Sequence, residues 1–267
     1  MNGLRSALGF LTIIPVAPRD PGGLATARGW FPAVGLLLGV FLAAADLLMH
    51  WGYPLFSDVY RPFPPALSAA ILAVALVALT RALHLDGFMD CCDALLGGFD
   101  RKRRLEILRD SHVGAFAVSG AVSLLLIKVA AIMALPPSDR VWVLLLFPCL
   151  SRWGMLLLLE VFPYARGQGI GIPFRPQGGR WQLLAGLAVA GVAAVALTGL
   201  SGLALLAVAT AVAFGLGAWA SKLLGGVTGD VYGAANEASE AAVLALAAVL
   251  SFAVSESFLQ PVHQLQW

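Results

Sequence analysis

The chain is 267 residues long, 60% hydrophobic and only 12% charged, with a formal net charge of +2. Soluble domains carry about 25% charged residues, so this composition excludes a water-soluble globule and places the chain in a bilayer. The net charge says little about nucleic acid, and the basic residues are better explained by membrane topology, so no nucleic-acid partner is expected. The length leaves room for one integral membrane domain, residues 1–267, and no separate soluble module.

The first 28 residues read as an interfacial segment. Leu4, Leu8 and Leu11 share one helical face, the mark of an amphipathic helix lying on a membrane. A secretory signal fits poorly, because the apolar run 8–16 is short and the small residues at 25–27 lie too far beyond it. Seven membrane spans come next, at 30–49, 66–83, 113–135, 141–160, 182–199, 203–224 and 238–259, giving an all-α polytopic bundle. Gly35 and Gly39 form a GxxxG pair in the first span. It is read as close packing within the bundle, with a homo-oligomer seam as the alternative.

Lysine and arginine set the orientation. Thirteen of the seventeen fall on one side: Arg5, Arg19, Arg28, six between Arg81 and Arg109, then Arg166, Arg175, Arg180 and Lys222. Only Arg61 and Arg140 fall on the other. The N-terminus and the loop 84–112 are therefore expected in the cytoplasm, and the C-terminus outside. Lys128 and Arg152 fall inside spans. Lys128 is read as snorkelling to the nearer surface; for Arg152, snorkelling and a functional role stay open. Cys91, Cys92 and Cys149 make no disulfide framework and are read as reduced.

The loop 84–112 concentrates charge in a chain that otherwise lacks it. Asp86, Asp90 and Asp93 are spaced i, i+4, i+7 and share one helical face. Three carboxylates converging there repel each other unless a cation sits between them. An all-oxygen set favours Mg²⁺ or Mn²⁺, which characteristically joins a few carboxylates to substrate phosphates. A solvated acidic face is the weaker alternative here, because acids are scarce. His84 stands beside the cluster, as an interfacial histidine or a ligand. Gly97-Gly98 breaks the helix, and Asp100 is placed to cap a new one whose first turns hold Arg101 to Arg104. Cations there oppose the helix dipole, which a bound anion relieves, so Arg103 and Arg104 are candidate phosphate contacts; positive-inside topology explains them equally. Asp110 is placed either to complete the metal site or to pair with Arg109.

A second polar island is GGVTGDVYGAANEASE at 225–240. It is read as a cytoplasmic loop in which Thr228, Asp230 and Asn236 are candidate site residues, with Asp230 a metal ligand or an orienter of a substrate hydroxyl. A turn feeding acids into a helix N-terminus is the structural alternative. A third is Tyr164-Ala165-Arg166-Gly167, with further glycines after it. No Walker lysine or dinucleotide fingerprint accompanies it.

The string LHLDGFMDCCDALLGGFDRKRRLEILRDSHVGAF resembles the signature of the cobalamin synthase family, the adenosylcobinamide-GDP ribazoletransferases. FLTIIPV, GWFPAVGLLLG, SRW, YARGQG and GGVTGDVYGAANEASE agree in order, so the resemblance covers nearly the whole chain. Ala94 departs from an expected glycine, and Cys91-Cys92 from a small or polar pair; neither removes a carboxylate. The resemblance implies a Mg²⁺-dependent enzyme of the bacterial inner membrane. Its substrates are adenosylcobinamide-GDP and α-ribazole or α-ribazole 5′-phosphate; it releases GMP and forms adenosylcobalamin or its 5′-phosphate. On that basis Asp86, Asp90 and Asp93 hold the metal, Arg103, Arg104 and Arg166 the phosphates, and Asp110 or Asp230 serves as base or orienter. Association with other corrinoid-pathway enzymes is also expected. Two rivals are weighed. A CDP-alcohol phosphotransferase requires Ala-Arg soon after Asp-Gly, where this chain has Phe88-Met89. A transporter is expected to keep its polar residues at the bilayer midplane, whereas the sequence places them in loops.

Overall fold

The structure, a computed structural model, describes residues 2–16, 23–52, 63–166, 180–253, 259 and 261. Arg19, Arg61 and Arg175 of the charge count, the glycine-rich run after Arg166 and positions 254–258 of the last expected span lie outside these residues. In chain order the helices are α1 (Asn2–Leu11), α2 (Gly23–Ala27), α3 (Phe31–Gly52), α4 (Pro65–Leu79), α5 (Leu83–Cys91), α6 (Arg101–Ile107), α7 (Ala115–Ala134), α8 (Pro137–Val161), α9 (Trp181–Thr198), α10 (Ser201–Leu224) and α11 (Gly229–Ala253). Among the described residues there is no strand, only one isolated parallel bridge between Tyr164 and Val227. Among the described residues six segments are long and apolar enough to cross a membrane, with α4 and α5 supplying a seventh if that bent pair is one span. The expected all-α membrane bundle is what the chain builds.

Helix α8 is its axis. Leu144, Leu146, Phe147, Leu150 and Leu156 of α8 are sealed from solvent on all sides, and a helix apolar all round belongs in the centre of a bundle. The glycine pair of α3 explains how closely α3 packs there. A Cβ on Gly35 would strike the Pro148 carbonyl, and one on Gly39 the Leu145 carbonyl, both on α8. The GxxxG pair thus serves packing within the bundle, as expected.

The bundle has two polar ends. At one, Arg140 near the start of α8 meets Asp46 of α3 at 2.8 Å and Ser68 of α4 at 2.7 Å, and Asp139 accepts from Ser251 of α11 at 2.7 Å. At the other, Arg28 pairs with Glu160 near the end of α8, and α5, α6 and the first turns of α7 and α11 gather around the turn after α10.

Three sequence expectations need correction. The second span does not run to 83. Helix α4 stops at Leu79, after 15 residues, or about 22 Å of rise against a hydrocarbon core of about 30 Å. The chain then bends by 93° into Leu83–Leu96. Arg81 and Ala82 make the bend with φ of 54° and 55°, a left-handed conformation costing non-glycine residues about 1–2 kcal/mol each. The Arg81 guanidinium spans the corner, donating to the Gly9 and Phe10 carbonyls of α1 at 3.2 and 3.3 Å.

The island at 225–240 is also no loop beyond its first few residues. Helix α11 begins at Gly229, nine residues before the expected start, so Asn236, Glu237 and Glu240 are buried helical residues. Charge misled the hydropathy reading because these acids are neutralised by partners from other helices. One of those partners is the third correction. Lys128 does not snorkel: it is 3% exposed and donates to both Glu237 and Glu240 at 2.5 Å. Arg152 is fully buried and pairs with the other oxygen of Glu240. Two cations and two anions thus neutralise each other where unpaired charge is costly.

Candidate active site

Helices α5 and α11 cross in close contact, and glycine makes the crossing possible. A Cβ on Gly87 would stand 2.8 Å from the Asp230 carbonyl oxygen, and one on Gly233 2.9 Å from that of His84. This approach brings the two polar stretches of the sequence onto one cavity. Its lining includes His84, Asp86 and Gly87 from α5, Gly229, Asp230, Tyr232 and Gly233 from α11, and apolar walls at Phe10, Phe31, Met155 and Leu159. The enclosed space is only about 50 Å³, so a large substrate must lie across its mouth and insert no more than one small group. The imidazole Nε2 of His84, buried on this lining, has no hydrogen-bond partner among the described residues.

Asp230 is held from two sides. Thr228 Oγ1 donates to its Oδ2 at 3.1 Å, and the Arg166 guanidinium lies 3.4 Å from the same oxygen. Arg166 also donates to the Leu108 carbonyl at 3.3 Å. The segment carrying Arg166 is fixed beside Asp230 by the isolated bridge: Ala165 N–H donates to Val227 O and Val227 N–H to Pro163 O, both at 2.8 Å. Gly226 is needed for this bridge, because its φ of 150° and the nearby Pro163 carbonyl leave no room for a side chain.

The acidic triplet is split by local structure. Asp86 is exposed and Asp90 half-buried, one turn apart on α5. At Cys92–Leu96 the helix widens into a π-helical turn, which shifts the angular register of the residues beyond it. Asp93 sits in that turn, and both of its oxygens are engaged at the start of α7: Oδ2 accepts from Gly114 N–H at 2.6 Å and Oδ1 from Ala117 N–H at 2.9 Å. Asp90 is close enough to Asp86, Asp93 and Asp230 to feel the charge of each. Among the described residues no three acidic, histidine or cysteine side chains stand close enough to hold a metal ion by themselves. Two or three carboxylates on one cavity, with a substrate phosphate completing the set, is the arrangement Mg²⁺ takes in phosphoryl-transfer sites.

Helix α6 carries basic residues, none of them on the cavity lining. Asp100 caps this helix as expected, its Oδ1 accepting from Arg103 N–H at 2.9 Å. Arg101 pins it to α10 through the Leu224 carbonyl at 2.7 Å. Arg103 is exposed, with Glu106 at 3.5 Å, while Arg104 is half-buried and its Nε has no hydrogen-bond partner among the described residues. Asp110 stands outside the cavity lining and pairs with His112 Nδ1 at 2.5 Å, not with Arg109. That hydrogen bond holds the Asp110 carboxyl below the usual carboxylate range and raises the His112 imidazole above its ordinary value.

Arg152 and Asn236, candidates from the sequence, lie below the cavity in the ion network, where both donate to Glu240 Oε1, Asn236 at 3.0 Å. Glu237 and Glu240 were missed as members of this network. Their i, i+3 spacing opposite two in-span cations was the available signal, obscured by ending the loop at 237. Tyr232 on the cavity lining was missed as well.

The family described as Cobalamin-5-phosphate synthase matches residues 3–248. An adenosylcobinamide-GDP ribazoletransferase of Ectopseudomonas mendocina is 41% identical over 252 residues, covering 91% of this chain and 97% of the relative. The protein of the same name in Synechococcus elongatus is 38% identical over 246 residues, covering 90% and 93%. That of Desulfitobacterium hafniense is 37% identical over 251 residues, covering 90% and 94%. No solved structure matches the chain.

Proposed function

The chain belongs to the cobalamin-5-phosphate synthase family, and from this we propose that it acts as an adenosylcobinamide-GDP ribazoletransferase. A hydroxyl of α-ribazole, or of its 5′-phosphate, attacks the phosphorus joined to cobinamide. The bond from that phosphorus to the GMP oxygen breaks, GMP departs, and the hydroxyl proton is lost. The observation that carries this reading is the meeting of Asp86 and Asp230 on one cavity, with Arg166 3.4 Å from Asp230.

Asp86 and Asp90 are the carboxylates we assign to Mg²⁺. Asp93 is placed beneath them, because both of its oxygens are occupied by amides of α7. The ion, when bound, neutralises charge on the diphosphate and the leaving GMP. Arg166 holds a phosphate oxygen beside Asp230, and Arg103 and Arg104 approach the same diphosphate from α6. Asp230 orients the attacking hydroxyl and receives its proton. Thr228 and Arg166 both address its Oδ2, which leaves Oδ1 for the substrate. Asp110, outside the cavity and bonded to His112, shapes the loop between α6 and α7. With the positive-inside bias, we place this end of the bundle on the cytoplasmic face of the bacterial inner membrane, in one integral catalytic domain.

The test is transfer by the detergent-solubilised protein. Adenosylcobinamide-GDP and α-ribazole 5′-phosphate are mixed with Mg²⁺ or with EDTA, and GMP and the corrinoid product are followed by chromatography. Metal-dependent appearance of both supports the proposal. No turnover from folded protein with either α-ribazole or its 5′-phosphate overturns it.

A further inference from the structure

A second cleft opens beside the catalytic cavity and shares Leu159 and Tyr232 with it. It holds about 570 Å³ and is lined by Leu159, Glu160, Phe162, Pro163, Tyr164 and Tyr232 among others. That volume falls within the range of small-molecule sites, and no step above uses it. Its wall is aromatic: the Tyr164 and Tyr232 rings stand 6.4 Å apart and tilted by 31°.

Both rings are fixed to the machinery already described. Tyr164 lies in the bridge to Val227, and Tyr232 is a buried residue of the first turn of α11. Arg166 comes two residues after Tyr164, and Asp230 precedes Tyr232 by two. The same two segments therefore present an aromatic pair and, beside it, an ion pair at 3.4 Å. A nucleotide has this layout: a flat base at one end and a phosphate a sugar's length away. Aromatic side chains take such bases by stacking, and tyrosine does so with little entropy to lose.

We propose that Tyr164 and Tyr232 form a stacking shelf for the flat heteroaromatic base of a nucleoside substrate, with its phosphate towards Arg166. This deepens the transferase reading and rests on it for the two candidate occupants. One is the guanine of the donor, the other the base of α-ribazole. The shelf discriminates between substrates with and without a stacked base, and the cavity next to it receives only the reacting groups.

The test is equilibrium binding without turnover. GMP and α-ribazole 5′-phosphate are titrated separately into the full-length detergent-solubilised protein by calorimetry in Mg²⁺. Tyr164→Ala is expected to weaken one of the two by about ten-fold or more and leave the other within two-fold. Loss of GMP affinity assigns the shelf to guanine, and loss of α-ribazole 5′-phosphate affinity to the acceptor base. Tyr164→Phe keeps the ring and should bind like the unmodified protein. Tyr232→Leu, which keeps buried volume, should weaken the same ligand as Tyr164→Ala. The shelf is overturned if Tyr164→Ala binds both ligands normally, if Tyr164→Phe is impaired as badly as Tyr164→Ala, or if neither ligand binds the unmodified protein. Ring-dependent binding by a protein that transfers nothing retains the shelf and rejects the transferase reading; transfer with ring-independent binding does the reverse.

Discussion

Lys128 of α7 donates to Glu237 and to Glu240 of α11, and the far oxygen of Glu240 takes Arg152 of α8. The three helices are thereby joined by one neutral group of four charges, in a part of the protein where no member can reach water. Removing one partner of such a group costs about 3–5 kcal/mol. Lys128→Met is expected to lower the unfolding midpoint in detergent sharply. Lys128→Met combined with Glu237→Gln removes one charge of each sign and should recover most of the loss, a coupling that a thermal-melt double-mutant cycle measures.

Asp90 and Asp93 lie three residues apart yet are given different tasks. Asp90→Asn should lower transfer by about 100- to 1,000-fold with the melting profile intact and an increased requirement for Mg²⁺. Asp93→Asn keeps a side-chain oxygen for the amides of α7 and should retain most activity. Asp93→Ala loses the cap and should cost about 1–2 kcal/mol of stability. Equal inactivation by Asp90→Asn and Asp93→Asn, both folded, would put Asp93 on the metal instead.

The crossing of α5 and α11 tolerates no side chain. Gly87→Ala would set a methyl carbon 2.8 Å from the Asp230 carbonyl oxygen, so the helices must separate by several tenths of an ångström. Transfer should fall at least about ten-fold, because displacements of about 1 Å at a reacting centre cost about 100-fold. Gly191→Ala, which meets open space, is the control and should behave normally in the same assay.

The Asp110–His112 pair makes the loop between α6 and α7 sensitive to pH. The His112 pKa is raised above its ordinary 6.5, so its contribution is complete below about 6.5 and disappears as pH rises through the higher folded value. The Asp110 pKa is lowered below 3.8, so its contribution is complete above about 3.9 and disappears as pH falls through the depressed value. The pair is therefore expected to order the loop between these limits and release it towards alkaline pH. Limited proteolysis of the loop as a function of pH reads this, and Asp110→Asn should abolish the dependence. Both groups are exposed, so the effect is local.

Hydropathy carried most of the fold, because six helices are apolar enough to be seen one at a time. It failed where polarity is satisfied by partners far away in sequence. Glu237 looked like the end of a loop and Glu240 like a charge at the mouth of a span, because their counter-charges, Lys128 and Arg152, are on other helices. Helix α4 looked like a complete span because no glycine or proline marks Arg81 and Ala82 as a corner. The site was legible in part. The spacing of Asp86 and Asp90 sufficed to place both on one face, and TGD did mark the second wall. The contact of Asp93 with the first amides of α7 was not legible, because a helical wheel assumes 3.6 residues per turn, and the π-helical turn at Cys92–Leu96 breaks that assumption. Tyr232 escaped because it lay in a stretch read as loop, six residues before the expected span at 238.

The ion network also fixes an order of biosynthesis. Lys128 leaves the ribosome 109 residues ahead of Glu237, a delay of about 5–20 s at ordinary translation rates. Throughout that interval α7 carries a cation into the bilayer with no carboxylate available to it. Helix α11 is thus a closing element for this network, and a chain arrested before it leaves Lys128 and Arg152 without their carboxylate partners. Such truncated chains should be conspicuous substrates for membrane proteolysis, and quality control of this protein can be exercised at a single point, the arrival of Glu237 and Glu240.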